Sequence, residues 1–173
     1  MKTIIFFVLF IFNIGGLMAL DLGNKIPEIN LYGYDMKPKS LNEYKGKNLV
    51  VAFFPGAFTG VCTKEICTLQ DGLGNFNQMN AEIVGVTVDS PFSNKSWAEK
   101  NNVTFPIFSD YSRQALKAFG VELNNFAGME GYTAAKRSVF IFDKEGTLKY
   151  KWVSDNPAVE PPYEELNNEL SKL

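Results

Sequence analysis

A chain of 173 residues, 46% of them apolar, has the length and the apolar content for one packed domain. Its formal charge of −2 provides no global basic field to draw nucleic acid. It contains no histidine, which removes Cys-His and Ser-His activation of a nucleophile and the commonest transition-metal ligand. Two cysteines are too few for a disulfide scaffold but enough for one redox pair. Whatever activates a thiol here must be Arg, Lys or a helix N-terminus.

The first twenty residues carry Lys2 and then no charge until Asp21, with an unbroken apolar run from Ile4 to Phe12. This is the pattern of a short basic region followed by a hydrophobic leader, with Ala19 placed before a cleavage point. As a helix the uncharged span 3–20 would reach about 27 Å, which also suits a marginal membrane anchor. Met18 offers a third reading, a start directly before the following domain. Residues 1–20 are therefore set apart as a leader, signal peptide or anchor, and residues 21–173 as one domain. Export or anchoring follows from the leader, a cytoplasmic location from a start at Met18. Asn94-Lys95-Ser96 and Asn102-Val103-Thr104 are glycosylation triplets, relevant only in a eukaryotic secretory setting.

From Asp21 onward there is no linker, repeat or low-complexity tract. Glu28 to Tyr34 reads as a strand or short hairpin, and Leu41 to Lys47 as a polar connection. Asn48 to Phe54 (NLVVAFF) is a continuous apolar run suited to a central strand buried on both faces, stopped by Pro55 and Gly56. A helix is expected from Gly60 or Val61 to about Leu69, resuming from Leu73 to Met79. Glu82 to Val88 is the next buried strand. Ser90-Pro91 starts a helix over Phe92 to Asn101. Phe105 to Phe108 reads as a short strand and Ser112 to Phe119 as a helix ended by Gly120. Arg137 to Asp143 and Thr147 to Val153 form a hairpin, and Tyr163 to Leu173 closes the chain as an amphipathic helix. Strands alternating with helices imply right-handed crossovers and a mainly parallel centre. The expected class is α/β, a thioredoxin-like layout with a central mixed sheet flanked by helices. Active groups of such a sheet collect at the carboxyl ends of strands, where the turn after Phe54 lies.

The stretch FFPGAFTGVCTKEIC, Phe53 to Cys67, holds both cysteines. Cys62 falls in the first turn of the predicted helix, where unpaired N–H groups and the helix dipole favour an anion and lower a thiol's pKa. Thr59 stands at or near the cap, its hydroxyl free to point into the same pocket. Pro55 ends the strand and walls the thiol from water.

Pro55, Thr59 and Cys62 have the P-x-x-x-T-x-x-C spacing of peroxiredoxins, and the domain over residues 21–173 resembles that family. Glu65 within CTKE, Arg137 opening a later strand, and the YKWVSDNP stretch extend the resemblance. Cys67, in a C-x4-C pattern, resembles the resolving thiol of the bacterioferritin-comigratory-protein or PrxQ type. The resemblance implies a thiol peroxidase acting on hydrogen peroxide and organic hydroperoxides. It needs no metal or organic cofactor and is recycled by thioredoxin or a similar dithiol, and monomer and homodimer are both open. Cys62 would be the peroxide-attacking nucleophile and Arg137 the stabiliser of its anion and of the leaving oxygen. Thr59 would position the peroxide, and Glu65 either orients Arg137 or is a helix-surface carboxylate. Lys136 is expected to face solvent and Arg137 inward, by strand alternation.

Five residues along an ideal helix separate two Cα atoms by roughly 8.6 Å, beyond the roughly 7 Å a disulfide spans. A Cys62–Cys67 bond therefore requires local unwinding, with Gly60 and Gly72 as soft points. Competing readings are protein disulfide exchange, which ordinarily uses Cys-x-x-Cys, and a redox-signalling thioredoxin-fold protein. Phe58 is left as pocket lining or as a contact with a second subunit, and Phe126 to Tyr132 as a glycine-bearing rim.

Overall fold

The computed structural model describes residues 19–173; of the expected leader over residues 1–20, all but the last two lie outside them. Among the described residues no helix is long and apolar enough to cross a membrane. The described residues open with β1 (Leu31–Tyr32) and β2 (Pro38–Lys39), a small antiparallel hairpin. Then come β3 (Asn48–Phe53), α1 (Gly60–Asp71), α2 (Leu73–Gln78), β4 (Ala81–Thr87), α3 (Pro91–Lys100), β5 (Ile107–Ser109) and α4 (Gln114–Phe119). The short β6 (Glu122–Leu123) and β7 (Ala134–Ala135) pair with each other, and β8 (Ser138–Phe142), β9 (Leu148–Val153) and α5 (Tyr163–Leu170) complete the chain.

Seven strands form one mixed sheet in the order β2-β1-β5-β4-β3-β8-β9. β3, β4 and β5 are parallel neighbours, while β8 and β9 add antiparallel to the other side of β3. This is the thioredoxin-like α/β arrangement expected from the alternation of elements. Every residue of β3 is buried, because helices cover both faces of the sheet. The two-residue period sorts its side chains: Leu49, Val51 and Phe53 enter one core layer and Val50, Ala52 and Phe54 the other. The first layer packs under α4, with Phe53, Phe119, Phe140 and Phe142 in tilted and edge-to-face contact at 4.8–6.2 Å between ring centres. The second receives Ile66 and Leu69 of α1, Phe76 of α2, Trp97 of α3 and Leu166 and Leu170 of α5. Gly85 in the middle of β4 leaves space there: a Cβ on it would stand 2.5 Å from the Ile107 side chain and 3.2 Å from the ring of Phe54.

Several boundaries differ from those expected, each for a local reason. The connection after β2 contains a 3-10 turn over Leu41–Tyr44, closed by a capping box in which Ser40 and Glu43 satisfy each other's backbone N–H groups. The third parallel strand starts at Ile107 rather than Phe105; Pro106 has no N–H to donate, and its carbonyl accepts from Gly85 N at 2.9 Å. The next helix begins at Gln114 rather than Ser112. Arg113 takes a left-handed φ of 61°, and the buried Asp110 carboxylate accepts from Leu116 N–H at 2.9 Å, satisfying an amide of the first turn. Of the two glycosylation triplets, Asn94 is fully buried and closed to modification in the folded chain, whereas Asn102 is exposed.

Candidate active site

The parallel strands β3 and β4 end side by side, and the loop 55–59 leads from β3 into α1. Thr59 is the N-cap of α1 in extended backbone geometry, which puts Cys62 at the third helical position. The first backbone bond of the helix runs from Thr63 N–H to Thr59 O at 3.0 Å. The N–H groups of Gly60, Val61 and Cys62 therefore have no helical carbonyl to meet, and they face the end of the helix where an anion is favoured. Cys62 is 1% exposed.

Arg137 reaches this sulfur from the last position before β8. Its Nη2 lies 3.3 Å from Cys62 Sγ. The guanidinium is 1% exposed and held on three sides: Nη1 pairs with Glu65 Oε2, and both Nε and Nη2 donate to Pro157 O, at 3.1 and 2.7 Å. This is the planar fork used at every edge, a task that one ammonium group cannot perform. Lys136 points outward and pairs with Asp155, so the alternation expected across Lys136-Arg137 holds. Glu65 is 0% exposed, which rules out the reading of a helix-surface carboxylate.

Burial costs the Glu65 anion more than Arg137 returns, and its carboxyl is pushed up to about 7. A raised carboxyl pKa gives a definite sign. The contribution of Glu65 to stability is fully present below its ordinary value of 4.5 and is lost as pH rises through about 7. Thermal unfolding of the wild type and of Glu65→Gln across that window should show the variant with the flatter pH profile. Identical profiles would mean that Glu65 titrates alike in the folded and unfolded chain. Arg137 is itself pulled two ways: burial disfavours its charge, but Glu65 and Cys62 together outweigh burial and raise it.

Pro55, Thr59, Cys62, Phe126, Arg137 and Pro157 line a cavity of 220 Å³ over the sulfur. The Thr59 hydroxyl does not cap its helix. It donates to Gly56 O at 3.0 Å, so its free lone pairs are acceptors toward the cavity. Pro55 stands in the wall of this cavity. Phe58 does not line the cavity; it is 56% exposed, with Lys100 Nζ 5.9 Å above its ring. Cys67 lies on the same uninterrupted helix and is half-buried; like the buried Cys62, it is unbonded. Burial and the Asp71 carboxylate push its thiol up. One contributor went unrecognised in the sequence, and a second was expected only as part of the rim 126–132. The Pro157 carbonyl is a backbone group that no motif of side chains can reveal, although the Asn156-Pro157 dipeptide marks its turn. Phe126 reaches the cavity because the rim 126–132 is folded by Phe126 N–H donating to Tyr132 O at 3.0 Å.

Known proteins resemble this chain over most of its length. The AhpC/TSA family profile matches residues 22–151. The chain is 35% identical over 136 residues to Peroxiredoxin Bcp of Bacillus subtilis (strain 168), covering 78% of this chain and 86% of the relative. It is 37% identical over 130 residues to the mitochondrial Thioredoxin-dependent peroxide reductase of Homo sapiens, covering 71% of this chain and 48% of the human protein. Among solved structures, a mutant of Xylella fastidiosa PrxQ superposes with a TM-score of 0.78 at 26% identity, over 90% of this chain and 98% of that one.

Proposed function

The chain belongs to the AhpC/TSA family, the peroxiredoxins, and is a thiol-dependent peroxidase; from that premise we propose how its residues divide the reaction. Cys62, as thiolate, attacks one peroxide oxygen. The S–O bond forms as the O–O bond breaks; sulfur is oxidised to sulfenic acid, and the other oxygen leaves with the electron pair and takes a proton. Arg137 Nη2 stands beside the sulfur and meets the negative charge as it moves from sulfur to the departing oxygen. Thr59, its own hydrogen committed to Gly56 O, accepts the hydrogen bond of the peroxide O–H, while the Cys62 N–H donates to the peroxide. Pro55 and Phe126 keep bulk water from the sulfur.

In the second half of the cycle Cys67 sulfur attacks the Cys62 sulfenic acid, an S–S bond forms, and water leaves. A dithiol of the thioredoxin kind then reduces the disulfide. The single observation that carries the assignment is the buried guanidinium 3.3 Å from a buried sulfur at a helix N-terminus. The same burial disfavours protein disulfide exchange, since a sulfur 1% exposed cannot meet a disulfide on another protein without the site opening first. Stopped-flow mixing with hydrogen peroxide tests the reading. Trp97 donates to Thr63 on α1 at 3.3 Å and supplies the fluorescence signal. Fast second-order oxidation is expected, without reduction of insulin disulfides; the reverse pattern would make the protein an exchange catalyst.

A further inference from the structure

We infer that Asp89 is a positioning residue for the peroxide step, holding the loop that carries Pro55 and Thr59 in its reactive shape through one hydrogen bond to the Ala57 amide. The inference rests on the peroxidase reading of the Cys62 cavity and extends it to a residue outside that cavity. Asp89 follows the end of β4, next to the carboxyl end of β3 where the loop begins. Its Oδ2 accepts from Ala57 N–H at 2.7 Å. Among the described residues this is the hydrogen bond that ties loop 55–59 across to the neighbouring strand end. Gly56 O in turn receives the Thr59 hydroxyl at 3.0 Å. The chain of contacts runs from Asp89 to Ala57, through the adjoining peptide to Gly56, and on to the oxygen that faces the cavity.

The loop needs such a tie. Phe58 adopts φ 61°, a left-handed conformation that a bulky residue reaches only when its surroundings impose it. Its ring is largely exposed and contributes little packing to hold it there. Asp89, by contrast, is well fixed. Thr87 Oγ1 donates to Oδ2 at 3.1 Å, and Asn94 Nδ2 to Asp89 O at 3.4 Å. Thr87 and Asn94 are both fully buried, and Ser90 caps α3 through Ser93 N–H at 3.2 Å. The carboxylate therefore links two rigid elements, β4 and α3, to a strained loop. Its position behind the cavity means that it touches neither peroxide nor sulfur.

The test compares Asp89→Ala with Asp89→Asn, which keeps an acceptor oxygen while removing the charge. Three quantities are read: the second-order rate of Cys62 oxidation by hydrogen peroxide, the rate of Cys62 alkylation by iodoacetamide, and hydrogen exchange of the loop amides. The alanine variant should oxidise about 10- to 100-fold more slowly, the scale expected for a small displacement of a positioning group. Its alkylation should change less than about twofold, because alkylation needs the sulfur but not Thr59. Its Ala57 amide should exchange faster, and the asparagine variant should restore all three values. An unchanged peroxide rate, or peroxide and alkylation rates falling in parallel, overturns the inference. Should the alanine variant fail to fold, Thr87→Val removes the hydroxyl that orients Asp89 while keeping its shape, and the same selective loss is expected. Hydrogen exchange separates the two readings. A wild type inert to peroxide refutes the peroxidase assignment, whereas an Ala57 amide equally protected in wild type and variant refutes the Asp89 tie alone.

Discussion

Replacing Cys62 by serine should reduce peroxide consumption to the uncatalysed background, and replacing Cys67 by serine should leave one turnover intact and stop the cycle after it. The difference follows from position. Cys62 stands at the third residue of α1 with Arg137 against its sulfur, while Cys67 is a further turn and a half along and has no guanidinium partner. Both thiols are free on one unbroken helix, and ideal helix geometry keeps their Cα atoms roughly 8.6 Å apart, beyond reach of a disulfide. The bond can form only if the segment 62–67 unwinds. Unwinding exposes Ile66, at about 1.5–3 kcal/mol for a buried aliphatic side chain, and breaks the Glu65–Arg137 pair. It also strains the outer tether of α1, Lys64 to Glu160, an exposed pair worth at most about 1 kcal/mol. The oxidised protein should therefore show faster hydrogen exchange across 62–67 and a changed Trp97 signal, since Trp97 donates to Thr63 on that helix. Cys67→Ser should give the first fluorescence phase at the wild-type rate and no second phase. Full steady-state turnover with thioredoxin in that variant would remove Cys67 from the cycle, and a disulfide form with α1 intact would refute the unwinding.

The elements that position Cys62 were legible because their signals are local. NLVVAFF is apolar at every position, and Pro55 and Gly56 stop it where β3 ends. Ser90-Pro91 marks α3 to within one residue. Lys136 and Arg137 alternate across the backbone entering β8, so the inward side chain could be named in advance. What stayed hidden depends on tertiary contact. The acceptor for two arms of Arg137 is the backbone oxygen of Pro157, twenty residues away. The Ala57–Asp89 bond spans thirty-two residues and involves an ordinary aspartate before a helix cap. The β6–β7 ladder is two residues on each side, too short for periodicity to register. Glu65 shows both sides: its place in CTKE drew attention, but that it is buried rather than solvated depends on tertiary packing that sets it against Arg137, seventy-two residues away.

Arg137→Ala should slow the peroxide step by about 10²–10³-fold, the usual loss on removing one preorganised donor from a developing oxyanion. The same substitution leaves Glu65 in the interior without its cation, a kind of change that costs about 3–5 kcal/mol when the remaining charge stays. Activity and stability must therefore be measured together, and the Glu65 carboxyl supplies the means to separate them. Burial pushes the Glu65 carboxyl up to about 7 even with Arg137 beside it; without the guanidinium that lowers it the carboxyl rises further, so in the variant Glu65 keeps its proton at and below that pH and the orphaned charge disappears. The variant should be markedly destabilised above about pH 7 and approach the wild type below it, while the kinetic loss persists on both sides. Arg137→Lys should fall between the two in rate. A single ammonium can approach Cys62 Sγ or Glu65, but it cannot also donate twice to Pro157 O as the guanidinium does. A rate that recovers along with stability below about pH 7 would mean that Arg137 acts only by holding the fold together. An unchanged second-order rate in Arg137→Ala at any pH would remove it from the chemistry and leave the helix N-terminus as the sole support for the charge on sulfur.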